Sequence, residues 1–331
     1  MIALTAGQLL VTARALNPAF ADRQQELYPS TGLTRALQSY ARSAPWPARI
    51  LPVSPTASAR GPGSVLAPGN QSLVLDVDLV GGYDSVIPQR TVELARYLVG
   101  EPLTALGRHD AEASAILATS ERVRYGELTR FGISALATLP GFTAAADWGG
   151  PPRRGIAATD LYAGKDGTLL ALGNADGGPR VVTEVVTSAE PFMTYTRPDF
   201  PWRTAAVAGA DEVRRMPRTI TPGPVTQTVS DVRQSANALR LVAHSSAPGL
   251  LVIPENWDQG WSAIVNGRPA PDLRVNGVEQ AVPVPAGRAV VVLRYRPPLF
   301  LAGTLVTSAA LLGVLVLCAA GRRGRRDRDG S

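Results

Sequence analysis

Cysteine is almost absent from this sequence: Cys318 is the only one, so no disulfide can form within the chain. Histidine is nearly as scarce. His109 and His244 are the only two, too little material for a histidine-rich metal site or a serine-histidine-aspartate triad. Lys165 is the sole lysine, which leaves the positive charge almost entirely to arginine. No glycine-rich phosphate loop with a following lysine occurs, and Gly61-Pro62-Gly63 falls far short of one, so nucleotide hydrolysis has no support. Aromatic and basic residues do not interleave along any stretch. Nucleic acid is therefore not an expected partner, and no cofactor or metal is implied.

What the chain does have is apolar material. Of its 331 residues 45% are hydrophobic, enough for one or two packed domains. The net charge of +6 is modest, but Arg322, Arg323, Arg325, Arg326 and Arg328 crowd the last ten residues against only Asp327 and Asp329. Just before them, residues 299–320 carry no charge, a length that spans about 30 Å as a helix and matches a bilayer core. The reading is a single-pass cell-membrane protein, anchored in the lipid bilayer by residues 298–320. The positive-inside rule puts the basic tail, 321–331, in the cytoplasm, although Arg294 and Arg296 lie on the opposite flank. Residues 1–298 are then extracytoplasmic. Residues 1–16 make a poor export signal, with no basic start, an internal Arg14 and no small-residue cleavage site. The expectation is thus the tail end of a longer polytopic protein, the alternative being a tail-anchored protein with its bulk in the cytoplasm.

Along the chain the fold class reads as α+β. Residues 1–145 look like a mixed α/β domain, with helical periodicity at 31–44 and 88–100 and strands at 49–53, 72–77 and 131–139. Residues 54–69 are rich in Pro, Gly, Ser and Ala and read as a loop. Residues 146–222 read as an irregular linker holding one β-hairpin, whose strands 168–172 and 180–186 flank the turn composition of 174–178. Residues 223–297 look like a small all-β sandwich with strands at 238–243, 249–254, 261–265, 281–284 and 289–295. Asn266-Gly267 and Asn276-Gly277 mark tight turns within it, and its last strand runs through Pro297-Pro298 directly into the apolar run.

Several landmarks follow one another in a telling order. They are Leu27-Tyr28-Pro29 before a helix, Gly82-Tyr83-Asp84-Ser85 followed by Pro88, Phe131-Gly132-Ile133 in a strand, and Asn174 followed by Pro179-Arg180. The clearest is Gly260-Trp261 through Asn266-Gly267, then Asn276, then Val284-Pro285-Ala286-Gly287, then Arg294-Tyr295-Arg296-Pro297. In that order they resemble the C-terminal extracytoplasmic region and last transmembrane helix of the YfhO family of bacterial membrane proteins, across most of the chain. The resemblance implies part of a polytopic glycosyltransferase that takes sugar from a lipid phosphate carrier and adds it to envelope polymers. The partners implied are envelope glycan, a lipid-linked sugar and a polytopic membrane partner. The early membrane spans of that family are missing here, and with them the loop expected to hold the acidic catalytic residue. No catalytic residue is carried over.

Two clusters remain as candidates. Asp76, Asp78 and Asp84 are the densest acidic group outside the tail, with Asp76 and Asp78 on one face of the expected strand; the plainer account is a solvated strand face and a turn. Tyr83-Asp84 has the stronger functional claim because the resemblance puts it at a family landmark. The stretch from Glu255 to Trp261 sets two indoles among amide and carboxylate groups, the materials of a sugar platform. Tyr83, Asp84, Asn256, Trp257, Asp258 and Trp261 are thus the candidate glycan-binding residues. The plainer account of Trp261 is sandwich core, with Trp257 covering an edge. Functional readings left open are the accessory part of a YfhO-like transferase, a stand-alone membrane-tethered carbohydrate-binding or envelope-scaffold protein, and a hydrolase using Asp76, Asp78 and Asp84.

Overall fold

The computed structural model describes residues 30–44, 46–54, 75–80, 89–98, 118–119, 123–138, 158–173, 177–235, 237–297 and 300–326. The chain is α+β, with short helices and a majority of strands in several sheets. It divides into two compact units, Met1–Ala44 with Ala48–Asp176, and Pro45–Pro47 with Gly177–Ser331.

In the first unit, helix α1 (Gly32–Ser43) starts from a reciprocal cap. The Thr31 hydroxyl accepts from the Thr34 amide at 3.2 Å, and the Thr34 hydroxyl accepts from the Thr31 amide at 2.8 Å. Leu33 and Leu37, one turn apart, are fully buried and pack on Ile50, Ala135, Ala137 and Leu169 of a sheet. That sheet is built from β1 (Arg49–Ser54), β2 (Asp78–Leu79), β3 (Ala118–Thr119), β4 (Ile133–Thr138), β5 (Ala158–Gly164) and β6 (Gly167–Leu172). Its order is β2-β1-β4-β6-β5, with β3 also on β1. β1 runs parallel to β2, β3 and β4, whereas β6 is antiparallel to both β4 and β5. Parallel neighbours need a long crossover, and α2 (Gln89–Leu98) and α3 (Tyr125–Leu128) lie in the one between β1 and β4. In the β5–β6 turn, Asp166 accepts from the Leu33 amide at 2.7 Å and from the Tyr162 hydroxyl at 2.5 Å. This ties the hairpin to the start of α1.

Two sequence expectations change here. The strand expected at 72–77 begins only at Asp78: residues 75–77 turn, and Asp76 takes φ 53°, a left-handed conformation that aspartate tolerates. Residues 72–74 lie outside the described residues, as does nearly all of the expected loop at 54–69. The hairpin is also shifted. β6 pairs with β5 through the Lys165-Asp166 turn, not with the following strand, because β7 (Arg180–Val182) pairs with a strand far along the chain.

The second unit has three layers. Its five-stranded antiparallel sheet has the order β10-β11-β17-β13-β14, from β10 (Gln227–Ser235), β11 (Ala238–Ser245), β13 (Trp261–Val265), β14 (Arg268–Ala270) and β17 (Gly287–Tyr295). A six-stranded sheet follows the order β7-β12-β16-β15-β9-β8, adding β8 (Glu184–Thr187), β9 (Ala205–Ala208), β12 (Gly249–Asn256), β15 (Leu273–Val275) and β16 (Glu279–Val284). Between the sheets lies a core of Leu239, Leu241, Val291 and Leu293 from one and Leu251, Ile253, Val282 and Val284 from the other. The far face of the six-stranded sheet, with Leu250, Val252 and Leu273, is covered by Val213 of α5 (Ala210–Arg215) and by Met216 and Ile220 after it. A shorter helix, α4 (Pro191–Tyr195), precedes β9. The six-stranded sheet therefore takes β7, β8 and β9 from the stretch read in the sequence as linker. The expected strand 180–186 is two strands with different neighbours, β7 on β12 and β8 parallel to β9.

The asparagine-glycine turns behave as their chemistry demands. Asn266 and Gly267 sit at φ 50° and 80°, and Asn276 and Gly277 at φ 54° and 82°. The chain ends in α6 (Phe300–Arg326), 27 residues long, with Phe300, Leu305, Val306, Leu311, Leu312 and Leu315 exposed. Among the described residues no helix is long and apolar enough to cross a membrane. The described side chains of α6 end at Leu315, while the uncharged run of the sequence continues to Ala320.

Candidate functional site

Tyr83 and Asp84, in the Gly82-Tyr83-Asp84-Ser85 stretch, lie outside the described residues. Asp76 and Asp78 do not share a strand face: Asp76 occupies the turn, and Asp78 on β2 faces the Arg49 guanidinium at 3.3 Å. Among the described residues no group of three histidine, cysteine, aspartate or glutamate side chains is placed to hold a metal ion.

The other candidates lie at the β12–β13 connection: Asn256 ends β12, Trp257 and Asp258 are in the loop, and Trp261 begins β13. Asp258 Oδ1 accepts from the Gly260 amide at 2.8 Å, closing a tight turn, and its carboxylate faces the Tyr295 hydroxyl. Burial first, then Asp258, raise that phenol above its ordinary pKa. Trp261 packs on the inter-sheet core, its ring 5.2 Å from that of Tyr295. Gly260 is needed at this corner, because a Cβ there would lie 2.6 Å from the Arg296 carbonyl oxygen. Asn256 is exposed.

Trp257 turns the other way. Its amide donates to the Val278 carbonyl at 2.7 Å, and the Arg274 guanidinium lies 5.6 Å from its ring centroid. Its indole N–H faces Asp272, and both polar groups are buried. Asp272, in the turn between β14 and β15, is only 8% exposed. Burial pushes its carboxyl up to about 7 against the opposing pull of Arg215 and of the indole. Arg215 donates to the Asp272 carbonyl at 3.1 Å, and Arg274 faces Glu212 of α5 at 3.6 Å. The corner thus combines one indole, two guanidiniums and a carboxyl that exchanges its proton near neutrality.

Sequence reasoning singled out Trp257 and missed Asp272, Arg274, Arg215 and Glu212. Pro271-Asp272 looks like an ordinary polar turn, and nothing local signals that the aspartate is covered.

Two other landmarks meet in the interior. Arg180 and Asn276, far apart in sequence, both donate to Glu279: Arg180 Nη2 at 3.4 Å, and Asn276 through its amide group. Arg180 also donates to the Tyr195 hydroxyl and the Trp202 carbonyl, each at 2.9 Å, and Asn276 Oδ1 accepts from the Val207 amide at 2.8 Å. This network joins β7, β9 and β16 to α4, which gives Arg180 and Asn276 a structural role. Compared with protein-family models, curated proteins and solved structures, the chain matches none of them.

Proposed function

We propose that this chain is the extracytoplasmic, non-catalytic part of a YfhO-like polytopic membrane glycosyltransferase acting on cell-envelope glycans from a lipid-linked sugar donor. In this reading residues 299–320 are its last membrane span and the arginine-rich tail is cytoplasmic. The observation that carries the proposal is the corner at the end of the sandwich. Gly260, Trp261, Tyr295 and Arg296, the most specific part of the family-like motif, pack on one another there, and the Arg296 amide donates to the Gly260 carbonyl at 2.9 Å. Four residues further on, α6 begins with its apolar side chains exposed. The uncharged part of α6, residues 300–320, would extend about 30 Å as a helix, the thickness of a bilayer core, and the exposed leucine and valine on its described part favour lipid over water. The acceptor-side role falls to the loop between β12 and β13, where exposed Asn256 adjoins the Trp257 corner.

The test is the size of the native polypeptide, read by blotting cell membranes with an antibody to residues 225–295. A band several tens of kilodaltons above 34.8 kDa is expected. A band at 34.8 kDa would overturn the transferase reading and favour a stand-alone, membrane-tethered carbohydrate-binding or scaffold protein.

A further inference from the structure

The centre of the outer face of the five-stranded sheet does not have the composition of a water-facing surface. Alternation in an antiparallel sheet sends Leu241, Val291 and Leu293 into the core, and therefore sends Val242, Val290, Val292 and Ile264 outward. The register sets these four side by side: Val242 opposite Val290, and Ile264 opposite Val292. Val242 is buried and the other three are half-buried. An antiparallel sheet with one wet face normally reads apolar-in and polar-out, whereas the middle of β17, Val290 to Val292, is apolar on both sides.

The rim of this apolar stripe is basic. Arg240 and Arg233 lie opposite each other across β10 and β11, and share the single carboxylate of Asp231. Arg294, opposite Ala238 and Ser262, and Arg288, opposite His244, close the stripe at either end of β17, and both are exposed. Four guanidiniums against one carboxylate complement an anionic surface. The apolar centre matches the acyl boundary beneath a headgroup layer. The strand that carries Val290, Val292 and Arg294 is also the one that leads into α6.

We infer that the outer face of the five-stranded sheet lies on a bilayer surface rich in anionic phospholipid headgroups, with Val290, Val292 and Ile264 against the lipid and the arginines on phosphates. This rests on the membrane-anchor reading of α6 and goes beyond it, because an anchor alone leaves the sheet free of the surface.

The test places one environment-sensitive fluorophore on the full-length chain. Cys318→Ser removes the native thiol, and Val290→Cys labels the sheet face. Thr219→Cys, after α5 on the opposite layer, serves as control, with thermal melts checking that each variant folds. The proteins are reconstituted into vesicles of phosphatidylcholine alone, or with phosphatidylglycerol added. Flotation after carbonate washing reports the anchor separately: loss of flotation refutes the anchor, whatever the fluorophore does. With the chain floating, the expected result is a blue shift and quenching by brominated lipid at residue 290, only in anionic vesicles and weakened by salt, with none at residue 219. Arg288→Gln with Arg294→Gln should lower the docked-to-undocked ratio about 30-fold. A residue 290 signal that is the same in both lipids, or that instead follows protein density in the membrane, would overturn the proposal. The latter would point to a second copy of the chain.

Discussion

Replacing Asp272 with asparagine should make the second unit more stable, and more so as the pH rises. The carboxyl is almost fully covered, with the Trp257 indole and Arg215 compensating only part of the loss of water. Its pKa moves from the ordinary 3.8 to about 7. The folded state therefore holds this proton more tightly than the unfolded chain. Stability from the group is fully present below about pH 4 and declines as pH climbs through about 7, a loss approaching about 4 kcal/mol above that range. Between about pH 5 and pH 8 the decline amounts to about 2–3 kcal/mol. Asparagine keeps the shape and an acceptor for the indole but does not titrate, so the stability gap between variant and parent should widen by that amount. Urea unfolding of the full chain in detergent micelles, followed by tryptophan fluorescence at the two pH values, measures it. A gap that stays flat with pH, or a variant less stable than the parent at pH 8, would show that the carboxyl is not desolvated as its surroundings require.

Glu279→Ala strips the buried Arg180 guanidinium of its counter-charge and frees Asn276, and should cost about 3–5 kcal/mol in thermal or urea melts. Combining it with Arg180→Met should recover much of that loss; a double variant as unstable as the single would contradict the role given to the pair. The two turn glycines should respond unequally to alanine. At Gly267 nothing lies within 4 Å of a new Cβ, so only the left-handed conformation is penalised, at about 1 kcal/mol. At Gly277 the same conformation adds a Phe192 Cβ at 2.6 Å, and the loss measured by melting should be at least twofold larger. Equal losses would mean that α4 yields to the methyl group.

How much was legible depends on how far apart in sequence the deciding groups lie. Helix α1, strand β1, three strands of the five-stranded sheet (β11, β13 and β17) and both asparagine-glycine turns follow from neighbours within a few residues, whereas β10 and β14 carry no such signal. Periodicity, capping by Thr31 and the left-handed tolerance of asparagine and glycine are local energies. The uncharged run at 299–320 and its arginine flank are likewise properties of the sequence alone. Strand partners are not. Nothing near Arg180 says that β7 belongs beside β12 rather than in a hairpin with β6, because register is settled by which apolar faces meet in the core.

The same division runs through the candidate sites. The sequence by itself determined that Trp257 and Trp261 stand among polar groups. Only the tertiary structure decided that Trp261 packs on Tyr295, that Trp257 turns to Asp272, and that Arg180 and Asn276 meet on Glu279. The physical reason is desolvation. An aspartate in a turn is an ordinary carboxylate until chain from elsewhere excludes its water, and that covering is fixed by the packing of whole layers.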